Sequence, residues 1–199
     1  AAAEALINLA PNGRIAIVQD RTAYARGLTA AVAADLSARK LAPPVVIPIV
    51  AGRRDYGPEL AKLKTSPPHA VFFAGYPPEA AVVLRGLSQM GFTGPVIASD
   101  ANATDDFAAA AATVSGLSQT PVKVMVPAAA SGGLDGDDLE RRAEDAVRAW
   151  RAARATGDAA QELARGSAFD ENGDARLASF SAAPLVEGRW AHKAERNPR

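Results

Sequence analysis

The chain has 199 residues and equal numbers of basic and acidic side chains, 22 of each, so no net charge favours nucleic acid or anionic lipid as a partner. Hydrophobic residues make up 48% of the chain, which is enough for a packed core in one domain or one and a half. Cysteine is absent, and this excludes disulfides, thiolate metal sites and cysteine nucleophiles.

Short apolar segments of strand length alternate with longer helical segments as far as residue 127. The predicted strands are residues 13–18, 43–50, 70–75, 96–99 and 122–127. The predicted helices are residues 24–40, 57–64, 78–90 and 104–112. Prolines in the second strand favour an edge position, whereas the apolar third strand is typical of a strand buried on both faces. The alternation predicts an α/β fold with a doubly wound parallel sheet and right-handed crossovers.

The pattern changes after residue 127. A glycine-rich link over residues 131–136 precedes a charged helix over 137–156 and a short helix over 157–165. Residues 180–184 and 189–191 predict a C-terminal hairpin. We therefore predict an α/β ligand-binding lobe over residues 1–128, linking helices over 129–166, and a terminal hairpin with a polar tail over 167–199.

Several enzyme and metal motifs are missing from the sequence. The segment QDRTAYARG after the first strand holds a single glycine, so it is not a dinucleotide fingerprint, and no P-loop motif occurs. His69 precedes a strand, at the edge opposite the one that binds ligands in open α/β sheets, and His192 lies in the tail. The acidic segment DENGD, which begins at Asp170, fails the spacing of a calcium loop. We assign no catalytic residue, no metal site and no cofactor.

Three polar residues follow predicted strands at the edge where parallel sheets bind ligands. Tyr24 comes after the first strand, Tyr76 after the third and Asp100 after the fourth. A tyrosine offers an apolar face and a hydroxyl, and a carboxylate pairs with a cation, so the three predict a binding site for a small ammonium compound. The alternative is that these residues only form turns and that Asp100 caps the following helix.

Four segments resemble, in the same order, the leucine/isoleucine/valine-type periplasmic substrate-binding proteins of ABC transporters. GRIAIVQDRTAY at residues 13–24 resembles the strand, turn and helix that open the second lobe of that family. VFFAGYPPEA at 71–80 resembles its GGYYPE segment, and GPVIASD at 94–100 resembles its next strand, which ends in an acidic residue. FDENGD at 169–174 resembles its FDEKGD stretch before the terminal hairpin.

The resemblance implies one lobe of a type I periplasmic-binding fold that serves an ABC importer of branched-chain or related amino acids. Its implied partners are a small amino-acid ligand and the transporter's membrane subunits, with neither nucleic acid nor insertion into a membrane. Tyr24 and Tyr76 would pack on the side chain and backbone of the ligand, and Asp100 would bind its α-ammonium group. Ala25 and Pro77 depart from the family pattern, so the identity of the ligand stays open.

The resemblance covers only the second lobe. The first lobe would precede Ala1, and residues 129–166 would run through the hinge and that lobe. Residues 1–10 lack the pattern of a signal peptide, so a periplasmic location requires a signal that was removed before this numbering begins. A lone lobe would expose an apolar hinge-facing surface to self-association, and we expect it to bind free amino acids with millimolar affinity or not at all.

Two other functions are compatible with the same fold. A ligand-sensing module of a receptor or regulator would require a fused output domain. An unrecognised small α/β enzyme would lose its activity when His69 or Asp100 is changed.

Overall fold

The computed structural model describes residues 2–114, 121–127, 180–186 and 188–190. The elements, in chain order, are α1 (Ala2–Leu9), β1 (Ile15–Gln19), α2 (Ala23–Ala38), β2 (Val45–Pro48), α3 (Gly57–Leu60), α4 (Lys62–Thr65), β3 (Ala70–Ala74), α5 (Pro77–Gln89), β4 (Val96–Ala98), a 3₁₀ helix (Asp100–Asn102), α6 (Asp105–Ala112), β5 (Val122–Pro127), β6 (Phe180–Val186) and β7 (Arg189–Trp190).

The chain divides into two compact units. The first comprises Ala1–Val126 and Ser181–Ala191, and the second comprises Pro127–Phe180 and His192–Arg199. Apart from Pro127 and Phe180, all described residues belong to the first unit. The linking helices predicted over 129–166 lie outside the described residues, so the predicted division into three segments stays a prediction.

A seven-stranded sheet forms the centre of the first unit, in the order β2-β1-β3-β4-β5-β6-β7. The first five strands pair in parallel, whereas β6 and β7 pair antiparallel. The proline-containing strand β2 lies at one edge, as predicted, because proline has no backbone N–H to donate to a second neighbouring strand. The predicted doubly wound parallel sheet with a C-terminal hairpin is confirmed.

The elements predicted up to residue 127 occur with ends that shift by at most two residues, with two differences. The single helix expected over 57–64 is wrong, because it divides into α3 and α4, which are anchored separately by the buried side chains of Leu60 and Leu63. Helix α1 was not predicted. It forms because its apolar residues Ala3 and Leu6 are three apart and reach the core on one face.

Helices cover both faces of the sheet, and this explains its apolar strands. Helix α1 contacts α2, whereas α3 and α6 each contact α5. Phe72 and Phe73 are neighbours in β3 and therefore point to opposite faces, yet each is only 1% exposed. Burial of each ring stabilises the fold by roughly 1.5–3 kcal/mol. Because the two rings lie on opposite faces, β3 contributes to the hydrophobic core on both sides of the sheet.

The strand order reverses between β1 and β3. The chain leaves β1 towards β2 on one side and leaves β3 towards β4 on the other. Such a reversal opens a crevice beyond the carboxyl ends of the two central strands. Tyr24 and Tyr76 lie beyond the ends of these two strands, Tyr24 in the first turn of α2 and Tyr76 just before α5.

The C-terminal hairpin packs on the first turn of helix α6 through Trp190. The Trp190 indole N–H donates to the backbone oxygen of Thr104 at 3.0 Å, and its ring stacks on Phe107 at 5.5 Å between centroids. In the part of the chain that the structure describes, no helix is long and apolar enough to cross a bilayer.

Candidate ligand-binding site

Tyr24 is placed at the carboxyl edge of the sheet by the capping of helix α2. Thr22 is the N-cap, and its hydroxyl oxygen accepts from the backbone N–H of Ala25 at 3.1 Å. Asp20 Oδ1 in turn accepts from the backbone N–H of Thr22 at 3.0 Å and from its hydroxyl at 2.7 Å. These bonds fix the first turn of α2, where Tyr24 lies half-buried.

Tyr76 occupies the N-cap of helix α5. Pro77 and Pro78 take the first two helical positions, where a missing N–H costs nothing. A residue before proline is driven towards extended backbone, and Tyr76 has φ −108° and ψ 162°. Its side chain is 44% exposed, which leaves much of the ring available at the edge.

Asp100 begins the 3₁₀ helix that follows β4. The N-cap of the next helix, α6, is Thr104, whose hydroxyl oxygen accepts from the N–H of Phe107 at 3.2 Å. The alternative that Asp100 caps the following α-helix is therefore wrong. Its carboxylate is turned instead to Tyr24.

The three predicted site residues meet, although they come from three separate elements. The Tyr24 hydroxyl donates to Asp100 Oδ1 at 2.5 Å, and the backbone N–H of Ala101 donates to the Tyr24 hydroxyl at 3.4 Å. The rings of Tyr24 and Tyr76 lie 5.5 Å apart between centroids and are tilted by 33°. Two aromatic faces and one carboxylate thus share a single edge of the sheet.

The electrostatics of this cluster favour a cation. Burial raises the pKa of Tyr24 to about 12, and its hydrogen bond to Asp100 acts in the same direction. Tyr24 therefore remains a neutral hydrogen-bond donor at physiological pH. Asp100 has no cationic partner among the described residues, whose ion pairs join Arg39 with Asp35 and Arg53 with Glu59. A small ammonium group could supply the missing positive charge.

His69 lies at the opposite edge of the sheet, as its position before β3 predicted. Its Nδ1 accepts from the backbone N–H of Arg14 at 2.9 Å, and the Arg14 side chain donates to the backbone oxygen of Pro67 at 2.9 and 3.1 Å. His192 and the segment from Asp170 lie outside the described residues. Over the described ranges, no three His, Asp or Glu side chains are grouped as metal ligands.

Sequence reasoning missed the role of Gly75, which lies between the end of strand β3 and Tyr76. A Cβ atom at this position would lie 2.8 Å from Asp20 Oδ2, closer than packed atoms approach. Glu79 was placed at this edge from the sequence but without a role: it is 8% exposed and accepts from the backbone N–H of Gly52 at 3.0 Å, which ties the loop after β2 to helix α5. A glycine between a buried strand and a site tyrosine was the available signal for Gly75.

The chain has the fold of an α/β lobe of the type I periplasmic-binding kind, as comparison with solved structures shows. The chain is similar to LivK, a leucine-binding protein of Thermotoga maritima, with a TM-score of 0.69 and 19% identity over 95% of this chain and 63% of that protein. It is also similar to LivJ of Streptococcus pneumoniae, a branched-chain amino acid transporter substrate-binding protein solved with isoleucine, with a TM-score of 0.60 and 17% identity over 94% of this chain and 61% of that one. At such identities the likeness establishes the fold.

Sequence comparison gives the particular relatives. The chain is 31% identical over 94 residues to the Leu/Ile/Val-binding protein BraC3 of Rhizobium johnstonii. The aligned residues cover 47% of this chain and 26% of that relative. The chain spans about three tenths or less of the length of the curated relatives it matches. No protein-family model matches it. The resemblance to leucine/isoleucine/valine-type binding proteins is thus confirmed, over a part of those proteins.

Proposed function

We propose that the chain is a ligand-binding lobe of an extracytoplasmic solute-binding component of an ABC importer, and that its ligand is a branched-chain or related amino acid. One observation carries the proposal. Tyr24, Tyr76 and Asp100 converge at the point where the strand order reverses, and Asp100 has no cationic partner among the described residues.

The chemistry of the three side chains matches the parts of an aliphatic amino acid. The Asp100 carboxylate would accept hydrogen bonds from the α-ammonium group, while its Oδ1 also accepts the hydrogen bond from the Tyr24 hydroxyl. The exposed Tyr76 ring and the Tyr24 ring would pack on the ligand's side chain and backbone. A site of this kind binds its ligand without transforming it, so we propose a binding protein and not an enzyme.

The similarity to LivK, LivJ and BraC3 supports the proposed ligand class and the importer. In that role the partners would be the membrane subunits of the transporter, and the location would be periplasmic. Self-association through an apolar hinge-facing surface of the lobe is part of the same proposal.

We propose that the site is a half-site, formed by one lobe without its partner lobe, and the affinity of the 199-residue chain itself tests this. Micromolar affinity requires about 8 kcal/mol. One charge-assisted hydrogen bond contributes only about 1.5–3 kcal/mol, and binding must also offset the loss of motional freedom. We therefore expect L-leucine to bind with millimolar affinity, measured as amide shifts in an NMR titration, with the largest shifts near Tyr24, Tyr76 and Asp100. Tight micromolar binding would contradict the half-site.

Asp100→Asn tests the ammonium contact, because it removes the charge but keeps an oxygen that accepts from Tyr24. Loss of the charge should weaken L-leucine binding by about tenfold. The matched control is Asp106→Asn, which removes the same charge from the exposed first turn of α6 and should leave binding unchanged. 4-Methylpentanoate, which is leucine without its amine, should not shift the site resonances. If it binds as well as L-leucine, Asp100 is not an ammonium site.

A further inference from the structure

Beneath the site lie four residues that we name the buried clamp: Asp20, Gly75, Ser99 and Asn102. All four residues are buried: Asp20 is 4% exposed, Ser99 is 1% exposed and Asn102 is 0% exposed, and Gly75 is buried as well. Polar residues are seldom buried this completely unless hydrogen bonds compensate for the lost water.

One side of the clamp holds the backbone of Gly75 by hydrogen bonds. The Ser99 hydroxyl donates to the Gly75 oxygen at 3.0 Å, and Asn102 Nδ2 donates to the same oxygen at 2.9 Å. Asn102 Nδ2 also lies within hydrogen-bonding distance of the backbone oxygen of Ser99, at 3.2 Å, and of its hydroxyl oxygen, at 3.0 Å. The turn after β3 is therefore tied to the turn after β4.

The other side of the clamp is a steric contact with the turn after β1. The backbone N–H of Asp20 donates to the oxygen of Ala74 at 3.2 Å. Asp20 Oδ2 lies so close to Gly75 that a Cβ atom there would be 2.8 Å away, and a Cβ atom would also meet the Phe73 ring at 2.8 Å. Gly75 is thus enclosed between the turns that carry Tyr24 and Asp100.

This arrangement costs stability. Asp20 Oδ2 and Asn102 Oδ1 are buried without a hydrogen-bond partner among the described residues. Each unpaired buried acceptor lowers the stability of the fold, and a core of the same shape without polar atoms would avoid that cost. Unpaired buried groups call for a specific explanation, and functional sites are where such local costs concentrate.

Every clamp residue lies within four positions of a site residue along the chain. Gly75 adjoins Tyr76, Ser99 adjoins Asp100, Asn102 follows Asp100 by two, and Asp20 holds the cap of the helix that carries Tyr24. We propose that the buried clamp is a set of positioning residues, which set the distances between Tyr24, Tyr76 and Asp100 and thereby the affinity for the amino acid. This rests on the proposed function.

Asn102→Ala is the direct test, because it removes every hydrogen bond that Nδ2 makes to the turns after β3 and β4. We expect the Tyr24–Asp100 hydrogen bond to loosen, so the pKa of Tyr24 falls from about 12 towards its ordinary value of 10.0. Tyrosinate absorbance after a rapid jump to alkaline pH, read before unfolding and compared with Tyr24→Phe, measures this without any ligand. L-leucine binding should weaken by about tenfold in the NMR titration.

A general loss of stability is separated from a loss of positioning by Leu63→Ala. Leu63 is 2% exposed and lines a groove with His69 and Gly94, at the opposite edge of the sheet. Its truncation should destabilise the fold about as much as Asn102→Ala, and we expect it to leave both the Tyr24 titration and leucine binding unchanged. If Asn102→Ala does not fold, Ser99→Ala removes one hydroxyl from the clamp and serves in its place.

The outcomes distinguish the clamp from the proposed function. A Tyr24 titration that is the same in Asn102→Ala as in Leu63→Ala overturns the clamp, whether or not L-leucine binds. The Tyr24 titration needs no ligand, so it decides whether the clamp positions Tyr24 even where a single lobe does not bind L-leucine measurably. A lowered Tyr24 pKa with unchanged leucine affinity overturns the link from the clamp to binding.

Discussion

The two edges of the parallel sheet use polar groups in different ways. At the amino edge, where the parallel strands begin, His69 and Arg14 hydrogen-bond to each other, and the Arg14 side chain donates to the backbone oxygen of Pro67. A Cβ atom at Gly94 would lie 2.5 Å from the His69 backbone oxygen, so the packing there is close. At the carboxyl edge, Asp100 has no cationic partner among the described residues and Tyr76 is 44% exposed. The polar groups at the amino edge are hydrogen-bonded to each other, whereas the carboxyl edge has a carboxylate without a cationic partner among the described residues and an exposed aromatic ring.

The direction of the chain gives the physical reason for this difference. The strands β1 to β4 each lead through a turn into the N-terminus of a helix, so the carboxyl edge collects turns and the positive ends of helix dipoles. Carboxylates and open side chains are tolerated there more readily than at the amino edge, where the chain returns from each helix to the sheet. Substitutions at the amino edge should therefore affect stability alone, and those at the carboxyl edge should also affect binding.

The largest expected effect belongs to Gly94→Ala at the amino edge. The new Cβ would lie 2.5 Å from the His69 backbone oxygen and 2.6 Å from the Phe92 ring, so the backbone must shift. We expect a loss of about 1–3 kcal/mol in the free energy of unfolding, measured by urea denaturation. The control is Gly27→Ala in helix α2, where a Cβ meets nothing within 4 Å and should stabilise the chain by about 0.5–1 kcal/mol. Equal effects of the two variants would contradict the close packing of the amino edge.

A smaller effect, and the clearest contrast, comes from one side-chain removal at each edge. His69→Ala removes the acceptor for the Arg14 N–H at an exposed position, and should cost about 1 kcal/mol of stability while leaving L-leucine binding unchanged. Tyr24→Phe removes the donor to Asp100, and should cost a similar amount while also weakening binding. Urea denaturation and the NMR titration measure the two quantities. Loss of leucine binding in His69→Ala would remove the distinction between the edges.

The smallest effect is a dependence of stability on alkaline pH at the carboxyl edge. The pKa of Tyr24 is raised by burial, and further by Asp100, to about 12, against 10.0 for an ordinary tyrosine. Between these values the unfolded chain loses the Tyr24 proton and the folded chain keeps it, so this contribution to stability is complete below pH 10 and declines towards pH 12. Urea unfolding across this range should therefore show a shallower decline for Tyr24→Phe than for the unaltered chain. Identical slopes would mean that Tyr24 is not held as described.

Local sequence patterns determined the elements and the sheet. Buried parallel strands need continuous apolar runs such as AVFFA, and the prolines around β2 exclude a central position, so both features are visible in the sequence. The positions of Tyr24, Tyr76 and Asp100 after strands were visible for the same reason, since the carboxyl ends of parallel strands share one edge. The break between α3 and α4 was not visible, because it depends on how Leu60 and Leu63 pack.

Only the tertiary structure decided how the side chains at that edge meet. The contact of Tyr24 with Asp100 joins residues 76 positions apart, and the approach of Asp20 to Gly75 joins the turns that follow two separate strands. Sequence periodicity reports which face of an element is buried, but it carries no information on the distance between side chains from different strands. That distance follows from the strand order, the twist of the sheet and the packing of the helices on it.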